Sequence, residues 1–425
     1  MEETAIYNGW NVSLLKNQWL KLSIAPQLGG RIIQLEMNGY EFFFVNRQLA
    51  GKEPDSTRLG PNGTWPNFGG EKIWPAPQGW DSPNQWPGPP DPVLDSGVYE
   101  VDKDDSENKV LTLLSPFDSY TGLQIERDVV LSEDSSEVII KARFCNKSNK
   151  ARKWSIWPVC QIDMPEVNRG KQYQIVCPVN PNSKFEDGYK VMHGVVNTPQ
   201  IKFDSYGNLV VDYQYLVGKV GLDTNSNWIA SIDKTTGKVF VLKFQYQEDK
   251  LYPDNTSVHI WSQGRGLIYS RNRIAEFKND ELENPPYMEM ELLSPLQDIQ
   301  PGERMEFEYR MSACTIPAGS EIKSVNELGV IASPLQIITS NDGIAITAKY
   351  GVYTDGRIKL MLREASEPGN QFCLLKTQVS PFEGITINQN IKQDLLTGHC
   401  TTLTIEMYDK EECFIGELDK ITINE

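Results

Sequence analysis

The sequence predicts a nearly all-β chain, and three observations carry that prediction. Runs of β-branched and aromatic residues recur from end to end. No segment keeps a long 3.6-residue apolar period between helix caps, so any helices are expected to be few and short. Turn residues punctuate the runs at short intervals.

The first element is Gly29-Gly30-Arg31-Ile32-Ile33. Paired glycines permit a tight turn and Arg31 begins a strand, which suits either a hairpin with a solvated arginine or an Arg31 that donates to sugar hydroxyls or a carboxylate at a cleft floor. Residues 61–92 differ from the rest, with nine of the 26 prolines and four of the ten tryptophans. Proline fixes φ and lacks a donor, so the window is not expected to form a central strand. A long rigid loop whose tryptophans pack on the body and shape a binding site is expected instead. Within it stands Asn67-Phe68-Gly69-Gly70-Glu71-Lys72-Ile73-Trp74-Pro75. The glycines would let backbone approach a ligand, Asn67, Glu71 and Lys72 would bond hydroxyls, and Trp74 would offer an apolar face to a pyranose. A structural loop with a Glu71–Lys72 surface pair is the plainer alternative.

Strands follow at 110–114, 122–131 and 138–145, and residues 228–247 read as a hairpin around Lys234-Thr235-Thr236-Gly237. In Ser257-Val258-His259-Ile260-Trp261, His259 and Trp261 share one face of a strand; a structural histidine and a cleft-lining one are both compatible with that pattern. In Tyr287-Met288-Glu289-Met290-Glu291-Leu292, alternation sends Tyr287, Glu289 and Glu291 one way and the methionines into the core. On an open face this is a solvated strand; in a cleft, two neighbouring carboxylates would raise one pKa and yield a general acid or base. A strand at 305–313 precedes a pause at 315–329. Further short strands, including 357–364, then follow with Asn-Asp-Gly and Thr-Asp-Gly turns among them, which suggests a small Ig-like sandwich over 325–425 after a first domain over 1–315.

Composition narrows the function classes. The 425 residues carry a net charge of -16, which disfavours nucleic acid and anionic membrane surfaces as partners. No apolar run reaches the ~20 residues of a membrane span, and no signal-peptide pattern marks the start, so a cytoplasmic location is expected, or a periplasmic one if a signal was removed. Seven scattered cysteines without CxxC suggest buried free thiols. Of three histidines, His193, His259 and His399, none has metal-site spacing. No nucleotide loop or GxSxG occurs, and no cofactor or metal is indicated.

Four segments, LGGRIIQL (28–35), NFGGEKIWPAPQGW (67–80), KWSIWPVCQI (153–162) and YMEMELLSPLQDIQPGERMEFEYRMS (287–312), together resemble a bacterial family without assigned activity that is related to galactose mutarotases (aldose 1-epimerases). The resemblance covers about residues 8–315. It implies a galactose-mutarotase-like supersandwich with a concave, sugar-binding face. Mutarotases place a catalytic glutamate on a late strand, ahead of a proline and a Pro-Gly-Glu turn. Here Pro295 and Pro301-Gly302-Glu303 follow Glu289 and Glu291, so the role falls to one of the two, with Glu291 preferred. Where mutarotases carry a histidine acid, this chain has Trp157-Pro158-Val159-Cys160-Gln161, so either another residue such as Lys72 or His259 supplies the proton or the chain is not a mutarotase. Two readings result. One is a saccharide-binding protein using Arg31, Asn67, Glu71, Lys72, Trp74, Trp157, Gln161 and Tyr287. The other is an epimerase with Glu291 or Glu289 as base. A purely structural module is a third. Arg31, Lys72 and Arg265 would together favour an acidic sugar if they converged.

Overall fold

The computed structural model describes residues 3–55, 59, 63–102, 110–165, 172–270, 273–340, 343–364, 371–391 and 401–423. Among them no α-helix occurs, only single-turn 3₁₀ segments between strands. The described residues form two compact units. One comprises residues 1–132, 138–231 and 241–311, the other 133–137, 232–240 and 312–425.

Two large sheets lie mostly in the first unit. One is twelve-stranded. Its main path runs Glu3–Tyr7, Trp10–Lys16, Leu20–Ala25, Arg31–Met37, Glu71–Ala76, Arg152–Asp163, Tyr287–Leu292, Val258–Ser262, Gly218–Leu222, Lys190–His193. Every neighbouring pair on that path is antiparallel. The other sheet has ten strands, among them Val110–Leu114, Leu123–Leu131, Glu137–Asn146 and Arg304–Thr315. The expected hairpin forms from Trp228–Asp233 and Lys238–Phe244 in that sheet.

Alternation in the ten-stranded sheet buries one face. Leu123, Ile125, Arg127, Val129 and Leu131 are all buried, as are Met305, Phe307, Tyr309 and Met311. Arg127 is the charged exception in its row, and its counterpart comes from the other sheet. Its Nη2 donates to Glu71 Oε2 at 2.5 Å, while the Tyr309 hydroxyl donates to Glu71 Oε1 at 2.5 Å. Glu71 and Arg127 are 0% and 1% exposed, so this ion pair lies wholly in the sandwich interior.

The strand Glu71–Ala76 corrects the reading of 61–92 as loop throughout. It is fully buried and sits in the middle of the twelve-stranded sheet. Its pairing explains how it tolerates Pro75. Residues 71–76 align with 155–160 on one side, whereas Arg31–Met37 meets it only at Ile32 and Glu71 on the other. Beyond Glu71 the second edge is open, so a missing N–H at Pro75 can face away from any ladder. The flanking tryptophans are tied in as expected. Trp86 is fully buried and its indole donates to Asp91, while those of Trp65 and Trp74 both donate to Asp95.

The second unit contains two antiparallel four-stranded sheets. Ser324–Val325, Gly329–Ser340, Gly343–Val352 and Ile385–Ile391 form one, and Gln371–Val379, Gly356–Glu364, Thr401–Tyr408 and Phe414–Ile423 the other. Ile346, Tyr350, Leu360, Leu403 and Ile405 are fully buried in their shared core. Asn341 and Asp342 of the first expected turn lie outside the described residues; a bend occupies Thr354-Asp355 of the second. Cysteines depart from expectation: Cys160, Cys177 and Cys314 are buried, but Cys373 and Cys413 are exposed, and Cys400 lies outside the described residues, as does His399.

Candidate active and saccharide-binding site

Period-2 alternation and antiparallel register assemble one polar face in the middle of the twelve-stranded sheet. On Tyr287–Leu292, Met288, Met290 and Leu292 enter the core at 0% exposure, which turns Tyr287, Glu289 and Glu291 to the opposite face. Glu291 aligns with Val159 on one side and His259 on the other; Glu289 aligns with Gln161 and Trp261. Lys72 aligns with Val159 and Trp74 with Trp157. Lys219, from Gly218–Leu222, aligns with Trp261. Residues more than 200 positions apart thus share one surface because strands 71–76, 152–163, 287–292, 258–262 and 218–222 are consecutive in the sheet.

Above this face lies a cavity of about 680 Å³. Its floor includes Trp157, Lys219, Trp261, Tyr287 and Glu289. Walls come from the tryptophan-rich segment, through Trp65, Asn67, Trp74 and Trp80, and from the hairpin of Gly266–Ser270 and Arg273–Phe277, through Ile268, Ser270 and Phe277. Its size lies within the ~300–1,000 Å³ typical of small-molecule sites.

The two carboxylates occupy contrasting environments. Glu291 is 0% exposed, and its Oε2 accepts from Trp157 Nε1 at 2.8 Å, Lys219 Nζ at 2.8 Å and His259 Nδ1 at 3.2 Å. Burial pushes its pKa up, but the Lys219 charge and the His259 bond more than reverse that and hold it at about 2. Glu289 faces the cavity and accepts from Gln161 Nε2 at 2.7 Å. Burial dominates there, aided by the Glu291 charge and opposed chiefly by Lys72, and raises its pKa to about 7. Glu291 is therefore a fixed anion, while Glu289 exchanges its proton near neutrality. Environments that push two acids apart in this way divide acid and base roles.

Lys72 is 1% exposed and its ammonium stands 4.8 Å from the Trp74 ring centre and 5.6 Å from that of Trp65. Burial lowers its pKa to about 8, with the Glu289 charge acting in the other direction. Among the described residues, Lys72 Nζ, Gln161 Oε1 and Glu291 Oε1 are buried without a hydrogen-bond partner. Each such atom costs about 1–3 kcal/mol, more when charged. These three belong to residues that bond Glu289, couple to its charge or sit two positions along its strand.

The expected residues divide into three groups. Asn67, Trp74, Trp157, Tyr287 and Glu289 line the cavity. Lys72, Gln161, His259 and Glu291 share the sheet face but stand behind that lining. His259 is held by Thr256 Oγ1 at 2.6 Å on Nε2 and by Glu291 on Nδ1, and burial and the Lys219 charge lower its pKa. It serves as a bonded neighbour of Glu291 and does not reach the cavity, so it is placed to orient that carboxylate and not to protonate a ligand.

Arg31 and Glu71 form the third group and are corrections. Both are 0% exposed and outside the lining. Arg31 donates through Nε to the Leu28 carbonyl, through Nη1 to that of Gly69 and through Nη2 to Asp95, so its donors fasten two loops. Glu71 lies on the opposite face from Lys72, in the sandwich interior, because adjacent residues of a strand point opposite ways. The neighbouring glycines also serve the chain itself. A Cβ on Gly69 would stand 2.0 Å from the Phe44 carbonyl oxygen and one on Gly70 2.5 Å from that of Ile32, so the close approach is to backbone. Arg265 is exposed and outside the lining, so the three cations expected to favour an acidic sugar do not converge.

Lys219 is the residue that sequence reasoning missed. In Gly218-Lys219-Val220-Gly221-Leu222 nothing local marks it; only the register with Trp261 places it on the floor. Its ammonium stands 4.7 Å over the Trp157 ring while bonding Glu291. With Lys72 likewise over Trp74, the two most buried tryptophans of the cavity lining have a face already occupied by a cation. The more accessible aromatic surface belongs to half-buried Trp65 and Trp261 and to Trp80, which is 41% exposed.

Solved structures resemble the chain at low identity. A galactose mutarotase-like protein from Lactobacillus casei is 12% identical with a TM-score of 0.45, over 71% of this chain and 99% of that one. One from Clostridium acetobutylicum is 10% identical with a TM-score of 0.43, over 74% and 99%. A TPR-domain containing protein from Parabacteroides distasonis is 15% identical with a TM-score of 0.42, over 72% of this chain but only 47% of that longer one. Among curated proteins none matches. A family model described as "Domain of unknown function (DUF4380)" matches residues 12–312, a span that includes every floor strand of the site, and the chain belongs to that family.

Proposed function

We propose that the cavity binds a saccharide. The observation that carries this reading is a floor on which Glu289 and Lys219 stand among tryptophans, beneath a cavity of about 680 Å³. A pyranose has an apolar C–H face and a rim of hydroxyls. Aromatic walls match the first, and a carboxyl group and an ammonium match the second with charge-assisted bonds. In the Trp65→Ala variant, affinity for the best-binding sugar of a monosaccharide panel is expected to fall about tenfold by titration calorimetry. Equal affinity in the two proteins, or no binding by any member at millimolar concentration, counts against a saccharide site here.

Proton transfer is the second reading, favoured by the contrast between Glu289 near pKa 7 and Glu291 near 2. In it Glu289, which faces the cavity, exchanges protons with the sugar, and Lys219 and Glu291 supply fixed charge beneath it. It expects faster relaxation of optical rotation for a bound aldose, abolished in Glu289→Gln while binding remains measurable. An unchanged rate in that variant would exclude Glu289 as the proton-transfer group. The two four-stranded sheets of the second unit suit an Ig-like sandwich.

A further inference from the structure

The cavity has more room than one sugar ring uses. A hexose displaces roughly the volume of six waters at ~30 Å³ each, well under half of the available 680 Å³. The accessible aromatic surface is also divided between two places. Trp65 packs 5.9 Å from Trp74, on the strand Glu71–Ala76. Trp261 lies on Val258–Ser262 and packs 6.3 Å from Phe277 of the neighbouring hairpin. In the sheet those two strands are separated by Arg152–Asp163 and Tyr287–Leu292. Three strand spacings of ~4.8 Å put them ~14 Å apart, beyond the span of one pyranose.

The polar groups are not shared evenly between the two places. Glu289 bonds Gln161 of Arg152–Asp163 and has Lys72 of Glu71–Ala76 as its strongest favourable charge. The Lys219 ammonium stands over Trp157. Both charged heads therefore lean toward the Trp65 and Trp157 end. At the other end Trp261, Phe277 and Ile268 stand beside polar Gln263 and Ser270. The two charged heads thus concentrate at one end, and the other joins a second stacking surface to uncharged polar groups.

Resting on the saccharide reading, we propose that the natural ligand is an oligosaccharide of at least two linked residues, the first held between Trp65, Glu289 and Lys219 and the second stacked on Trp261 and Phe277. The test is calorimetric titration of the full chain with galactose, glucose and mannose, each alongside its own di- and trisaccharides. The expected result is at least a tenfold gain in affinity from a monosaccharide to its di- or trisaccharide. Trp261→Ala should erase that gain by weakening the di- or trisaccharide at least tenfold more than the monosaccharide, while Trp261→Phe restores most of it. A wild-type protein that binds mono- and oligosaccharides equally overturns the inference but not the saccharide reading. So does a gain that survives Trp261→Ala, or a monosaccharide affinity that falls as far as that of the oligosaccharide. Absence of binding by every sugar overturns the saccharide reading itself.

Discussion

Glu71→Ala is expected to lower the unfolding free energy of the first unit by about 3–5 kcal/mol, the usual consequence of removing one partner from a buried ion pair. The residue left behind is Arg127, 1% exposed, whose Nη2 bonds the lost carboxylate and whose Nη1 donates to the Gly30 carbonyl. Tyr309 loses its hydrogen-bond acceptor in the same step. Replacing both ions, as in Glu71→Leu with Arg127→Met, removes the stranded charge and is expected to recover most of the loss. Urea unfolding followed by tryptophan fluorescence reads both changes. If Glu71→Ala unfolds within about 1 kcal/mol of the natural protein, the pair does not hold the sheets as described. The milder Glu71→Gln, where it folds, is expected to bind saccharide as the natural protein does. That outcome separates a residue inside the sandwich from one at the ligand.

Why the sequence points to Glu71 as a binding residue is instructive. Read as a loop, Asn67 to Trp74 has no faces, and every polar side chain in it competes equally for the ligand. Read as a strand, Glu71 and Lys72 must point to opposite sides, and only one can belong to the site. Pro75 prompts the loop reading, because the open edge that admits it depends on where Arg31–Met37 diverges, a fact of tertiary pairing. Elsewhere the period-2 signal suffices. The strands at Leu123–Leu131 and Arg304–Thr315 alternate as their sequences predict, and the separation of Glu289 and Glu291 from Met288 and Met290 follows from spacing alone. What spacing cannot supply is register between distant strands. Lys219 aligns with Trp261, and its ammonium reaches Glu291, because Gly218–Leu222 pairs with Val258–Ser262, and no residue near 219 announces that. The choice between the two glutamates fails for the same reason. Glu291 becomes the buried anion and Glu289 the exchangeable acid only once Lys219 and His259 are placed beside the former.

Glu289→Gln should make the protein more stable at neutral pH while weakening its hold on saccharide. An acid whose folded pKa is raised from 4.5 to about 7 keeps its proton in the folded state after the unfolded chain has released it. Between those two values the unfolded state binds fewer protons, so the unfolding free energy falls as pH rises, by ~3 kcal/mol in all when one pKa unit is worth about 1.4 kcal/mol. Glutamine keeps the shape and an acceptor for Gln161 but never ionises, so this slope is expected to vanish in the variant. The difference between the two proteins should be near zero at pH 4.5 and grow to a few kcal/mol in favour of the variant above pH 7. Glu291 acts in a separate window: held at about 2, it contributes stability above pH 4.5 that is lost as pH falls toward 2. Burial raises Asp163 to about 7 as well, but that group is common to both proteins and cancels in the difference. Denaturant titrations from pH 4.5 to 8 measure the slope, and calorimetry with the best-binding sugar is expected to show at least a tenfold loss of affinity. A variant no more stable than the natural protein at pH 7.5 would mean that burial does not hold the Glu289 proton. Higher stability together with weaker binding in the variant would mark Glu289 as a group that costs the resting fold stability, as residues kept for a binding or proton-transfer role do.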